Sequence, residues 1–175
     1  MSIYDELIYR VNEGRLFRLL PELPRIGLVR QTFISQEIRN LCEGPWHSAA
    51  WEARCGSLRA DLDRFIGGDV IPVAAKPYRG KTSYLKRLDP DSDEVWEIRS
   101  RDPKPGIRVF GRFARKDVFV ALTWEEREPL LGPGSREWRD ARVACKTEWT
   151  KLFPAYEPIS SGANFHDYLS NFFLV

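Results

Sequence analysis

Residues Glu94 to Trp124, EVWEIRSRDPKPGIRVFGRFARKDVFVALTW, break into three strand-like runs at 94–101, 106–114 and 117–124. Short connections at 102–105 and 115–116 separate them. β-Branched and aromatic residues fill the runs and turn-formers sit between them, as a β-meander requires. The unusual ingredient is arginine. Side chains alternate along a strand. Glu97, Arg99 and Arg101 therefore share one face of the first run, and Trp96 and Ile98 the other. In the second run Arg108 and Arg112 oppose Ile107, Val109 and Phe113. One face is apolar and the other cationic, which points to a surface for phosphates.

The whole chain bounds this reading. Its 175 residues suit one domain with a real core. No apolar run reaches the roughly 20 residues of a membrane span, and no basic-then-apolar leader opens the chain. A cytoplasmic protein without membrane contact is expected. Cys42, Cys55 and Cys145 are odd in number, widely spaced and without a CxxC pair, and only His47 and His166 are available beside them. Free buried thiols are expected, with no metal and no cofactor. Gly132-Pro-Gly134 is a turn, not a phosphate loop. Net charge is only +2, but its distribution is uneven: twelve basic residues and six acidic ones lie between Lys76 and Lys116. A basic middle in an otherwise acidic chain is the pattern of a localised anion-binding face.

Around the meander the spacing predicts mostly helix. Residues 2–20 carry Ile3, Leu7 and Val11 at helical spacing, weakened by Gly14. A strand is expected over 26–33. Ser35 then caps a short helix at 36–41, and residues 48–66 form a longer one on a stripe of Trp51, Cys55, Leu58, Leu62, Phe65 and Ile66. Residues 70–73 suit an edge strand, because Pro72 argues against a central one. Residues 76–81 read as an exposed basic loop. Ser135 caps a last helix with Trp138, Ala141, Cys145, Trp149 and Leu152 on its apolar stripe. The apolar end, 168–175, either docks on its own domain or contacts another chain. The expected class is α+β: a mainly antiparallel sheet, made of the three-strand meander and one or two further strands, with helices on one face.

This order, with Val95-Trp-Glu-Ile-Arg99, Pro105-Gly-Ile-Arg-Val-Phe110 and Asp117-Val-Phe-Val-Ala-Leu-Thr-Trp124, resembles the RelE/ParE superfamily of small bacterial toxins. The resemblance implies a RelE-like core over 26–154, with an N-terminal helical extension at 1–25 and a C-terminal tail at 155–175. It implies an endoribonuclease of a toxin–antitoxin system, acting on mRNA, on the ribosome in some members. The partners would be RNA, an antitoxin protein and, through the added ends, a second copy of the chain. The chemistry would be metal-free attack of a ribose 2′-oxygen on its own phosphate. By position Arg99 and Arg108 would stabilise the charged phosphorane, Arg127 would match a third basic catalytic position after the last strand, and Glu97 would take the proton. Lys81, Lys86, Arg87, Arg101, Arg112 and Trp124 would hold the strand, the tryptophan by stacking. The chain departs from the family in the acidic stretch Glu125-Glu126-Arg127-Glu128 and in its length. A non-enzymatic binding protein for nucleic acid or protein, and a gyrase-directed toxin, are the alternatives. Bland readings stand beside each sharp one. Arg108 pairs with Glu97 across the strands or contacts phosphate. Lys81, Lys86 and Arg87 are a solvated surface or an RNA rail. Trp124 belongs to the core or stacks a base.

Overall fold

Each α-helix begins at a serine whose hydroxyl accepts a backbone N–H from one turn on. Ser2 caps α1 (Ile3–Asn12), Ser35 caps α2 (Gln36–Glu43), Ser48 caps α3 (Ala49–Ile66) and Ser135 caps α4 (Arg136–Leu152). Such a cap contributes about 1 kcal/mol. The computed structural model describes residues 2–23, 27–76, 78, 82–132 and 134–175. The helix expected over 2–20 stops at Asn12. Gly14 turns the chain with a φ of +69°, which glycine adopts without steric cost, and the remainder forms strand β1 (Phe17–Leu19). The strand expected over 26–33 is β2 (Gln31–Ile34), and Ile26 lies outside the described residues.

The sheet corrects the expected architecture. After β2 come β3 (Ile71–Ala74), β4 (Leu85–Arg87), β5 (Trp96–Ser100), β6 (Ile107–Arg115), β7 (Val118–Glu126) and β8 (Phe172–Leu174). Among the described residues they form one eight-stranded sheet in the order β1-β2-β7-β6-β5-β4-β3-β8. It is mixed rather than mainly antiparallel. β7, β6, β5 and β4 run antiparallel in succession, but β2 lies parallel to β7, and β3 lies parallel to both β4 and β8. Pro72 is therefore not on an edge. The bonds of β3 to β8 are made by Ile71 and Val73, and its pairing with β4 begins at Val73, so no ladder bond needs an N–H from the proline.

Nor are the helices on one face. α2 and α3 pack Ile38, Leu41, Cys55, Leu62 and Phe65 against Ile98, Val109, Phe113 and Phe119. α1 and α4 pack Leu7, Cys145 and Trp149 against Phe33, Phe110, Val120 and Leu122 on the other side. The two-sided burial explains β7, where five consecutive residues from Val118 are buried. A strand covered on both faces reads as a continuous apolar run instead of an alternating one. At Gly111 the sheet leaves no room for a side chain: a Cβ there would lie 2.2 Å from the Val120 carbonyl oxygen.

Both ends of the chain join these cores. Tyr168 and Leu169 are buried among the α2/α3 cluster, and β8 adds to the sheet beside β3. Arg30, wholly buried, donates to the carbonyls of Phe65, Asp69, Ser170 and Asn171 and so fastens the tail. Among the described residues no helix is long and apolar enough to cross a membrane.

Candidate anion-binding cleft

The register of β5 decides which charges meet. Lys86 lies across from Glu97, and Arg99 lies across from Arg108. All four share the sheet face that carries α1 and α4. Two guanidiniums directly opposed would repel, and Glu97 stands between them. Its Oε1 accepts from Arg99 Nε at 2.8 Å and faces Arg99 Nη2 at 2.7 Å, while Oε2 lies 3.5 Å from Arg108 Nε. Glu97 is wholly buried. Arg99 is further held by Ser83, whose hydroxyl accepts from Nη1 at 2.7 Å. Arg108 is held least. It is 9% exposed, donates to the Ile107 carbonyl at 3.3 Å and approaches Glu97; its other N–H groups have no partner among the described residues.

α4 crosses this face and turns an open surface into a cleft. Trp149 lies over the Arg112 guanidinium at 5.3 Å, and Trp138 meets Phe110 edge-on at 5.8 Å. Beside Trp138 a cavity of about 380 Å³ remains. Lys86, Glu97, Arg99 and Arg108 form its sheet side, Arg127 enters from beyond β7, and Trp138, Arg139 and Arg142 come from α4. Leu88 and Asp89 complete the wall after β4. Arg142 donates to the Asp89 carbonyl and pairs with Asp93 at 2.7 Å, tying the helix to the loop before β5.

The electrostatics are those of crowded cations. Burial, opposed by Glu97 and reinforced by Arg99, Arg127 and Arg101, pushes Arg108 down to about 10. Burial also lowers Lys86 from the ordinary lysine range. Lys86 Nζ sits 4.0 Å over the Tyr78 ring. Arg127 donates to the carbonyls of Leu130 and Leu131, and Arg139 to that of Gly134. Lys86, Arg127 and Arg139 have no acidic partner at ion-pair distance among the described residues. Glu125, across from Arg108 on β7, makes no ion pair with it. An anion would relieve this repulsion.

The residues expected at a site divide plainly. Glu97, Arg99, Arg108, Arg127 and Lys86 come together. Arg87 does not: its register partner is Trp96, so it points to the opposite face, under Trp96, Phe165 and Tyr168, and pairs with Glu94 at 3.4 Å. Arg112 is covered by α4 and donates to the Asp93 carbonyl at 2.8 Å. Arg101 donates to the Ser83 carbonyl at 3.2 Å and lines a separate hollow with Asp61 and Thr82. Trp124 is on the far face against Trp51, with ring centres 5.5 Å apart. A bulge puts it there. Phe110 pairs with Thr123 but Gly111 with Ala121, so Leu122 is an extra residue and the alternation shifts. Lys81 lies outside the described residues. The acidic stretch after β7 is partly diverted, since Glu126 meets Arg54 on the far face at 2.9 Å.

Sequence reasoning missed Trp138, Arg139 and Arg142 as cleft residues. Trp138 read as core, and arginines on a helix carry no signal of what they face. Among the described residues no group of three His, Cys, Asp or Glu side chains is placed to hold a metal ion. The three cysteines are free and buried. Compared with protein-family models, curated proteins and solved structures, the chain has no match.

Proposed function

We propose that this chain is an RNA-binding protein that holds a phosphate of its ligand in the cleft between β5, β6 and α4. The observation that carries the reading is Arg108: a guanidinium nine-tenths buried, largely without acceptors among the described residues, at the centre of a cluster of cations. Arginine's planar fork matches phosphate oxygens two at a time. Glu97 and Ser83 act as positioning groups, since they hold Arg99 at a fixed angle beside it. Leu88 and Trp138 supply an apolar wall for the part of the ligand that is not phosphate. A reducing, cytosolic setting fits an RNA ligand and three free thiols.

Cleavage of the RNA is the second reading. What favours it is that Arg99 and Arg108 flank the same carboxylate and so aim two cations at one place, as a developing phosphorane requires. In this version Glu97 is an unsuitable base, being wholly buried and covered by guanidinium groups. Asp89 is the carboxylate that lines the cleft with an exposed side chain, although Lys76 holds it at 2.5 Å.

Binding of a labelled single-stranded RNA across a salt series, with the same mixtures run on a denaturing gel, tests both readings. The binding reading expects affinity to fall steeply with salt and the RNA to stay intact. A cleaved product that disappears with a 2′-deoxy substitution would establish the second reading. RNA that does not bind at low salt would refute both.

A further inference from the structure

We infer that the cleft selects a terminal phosphate monoester, carried by an RNA end or by a free mononucleotide, over the internal diesters of a strand; this rests on the phosphate-binding reading above.

The first ground is charge. An internal diester carries one negative charge, and a terminal monoester carries about −1.5 to −2 at neutral pH. In the cleft Glu97 offsets only one of Arg99 and Arg108. Asp93 is taken up by Arg142 and Lys146, and Asp89 by Lys76. Glu125, across from Arg108 on β7, adds one negative charge, but Lys86, Arg127, Arg139 and one of the paired arginines have no acidic partner at ion-pair distance among the described residues. That surplus exceeds what a single charge can neutralise.

The second ground is shape. An internal phosphate needs a groove through which the strand enters and leaves. The cavity is instead pocket-sized, near the lower end of the ~300–1,000 Å³ usual for small-molecule sites. It is walled toward the 89–93 loop by Arg142, which bonds the Asp89 carbonyl and pairs with Asp93. On the sheet side it is floored by buried Glu97 with Arg99 and Arg108. A phosphate at the end of a chain reaches Arg108 from one side only, with its sugar and base against Leu88 and Trp138.

The test uses the full chain and one oligoribonucleotide made with a 5′-phosphate, a 3′-phosphate or hydroxyl ends, together with the matching mononucleotide as competitor. Dissociation constants are measured for the unaltered protein and for Arg108→Gln. The expected result is at least tenfold tighter binding of one phosphorylated form, with the advantage lost in Arg108→Gln. Competition by the mononucleotide at similar concentration identifies the free ligand as the source; failure to compete identifies the RNA end. Equal binding of all three oligonucleotides, weakened in Arg108→Gln, overturns the monoester inference and leaves the RNA reading standing. Binding of the mononucleotide without any oligonucleotide overturns the RNA reading and keeps the monoester. No binding of any probe overturns both.

Discussion

Replacing Arg108 by alanine separates a binding role from a structural one, because the two make opposite demands on stability. The structure permits the sum. What the fold loses, beyond the Glu97 attraction already contained in the lowered pKa, is one 3.3 Å bond to a neighbouring carbonyl and the packing of the arginine stem. Together these are worth about 1–3 kcal/mol. What the fold gains is relief. Burial and the nearby guanidiniums push Arg108 down to about 10, which disfavours its charged form by on the order of 3 kcal/mol. The two nearly cancel, so the unfolding free energy read from urea titration should change by less than about 1 kcal/mol. Glu97 is not orphaned, since Arg99 keeps both its contacts to Oε1. Binding should behave differently. Hydrogen bonds from a charged donor contribute about 1.5–3 kcal/mol, so the dissociation constant should rise roughly 10- to 150-fold. Arg108→Lys should recover only part of this, because a point charge lacks the fork. Glu97→Gln is the contrast. It removes the buried anion between the Arg108 and half-buried Arg99 guanidiniums and should cost about 3–5 kcal/mol of stability. The reasoning fails if Arg108→Ala lowers stability like a core substitution while leaving ligand affinity intact. Arg108 would then be the structural partner of Glu97 and nothing more.

Further outcomes follow from the same contacts. The phosphorylated oligonucleotide should bind more tightly as pH rises from 5 to 7.5, since its second proton leaves near pH ~6 while Arg108, near 10, stays charged. Glu125, whose carboxyl is raised by burial, gains charge with rising pH and opposes the trend, so the difference from the hydroxyl-ended control is the quantity to read by titration calorimetry; a flat difference contradicts the dianion. Tyr168→Phe should lower stability by about 1–3 kcal/mol in urea, because the hydroxyl donates to Glu94 at 2.8 Å and accepts from the Ser161 N–H at 2.8 Å; an unchanged midpoint would mean the tail is not held by that bond. Gly111→Ala should cost well over ~3 kcal/mol, since its Cβ would stand 2.2 Å from a carbonyl oxygen and 2.5 Å from the Phe119 ring; a stable, soluble variant would show that β6 and β7 can part at the bulge.

How far the chain was legible depends on the range of the interaction involved. The caps at Ser35, Ser48 and Ser135 and the stripes after them are written within a turn or two of sequence, and α2, α3 and α4 lie close to where the spacing puts them. Alternation placed Glu97 and Arg99 on one face of their strand and Arg108 on the face opposite Ile107 and Val109 of the next, because the period of two is also local; the register between the two strands brought them together. Arg87 is neither solvated surface nor cleft, and Trp124 takes its core reading, both for reasons that are not local. The side chain of Arg87 follows from its register against Trp96, and that of Trp124 from one bulged residue.

The sequence by itself therefore determined three of the helices, the strands of its central stretch and which charges oppose the apolar side of each strand. The tertiary structure alone decided that the sheet has eight strands with parallel pairings, and that both faces are covered. It alone brought α4 across the cationic face, burying Arg112 and enclosing Arg108 with Arg139 and Arg142. The physical reason is that backbone preference and side-chain period act over a few residues. Parallel pairing and the closing of a helix over a sheet join segments tens of residues apart, where burial of the whole apolar surface sets the arrangement.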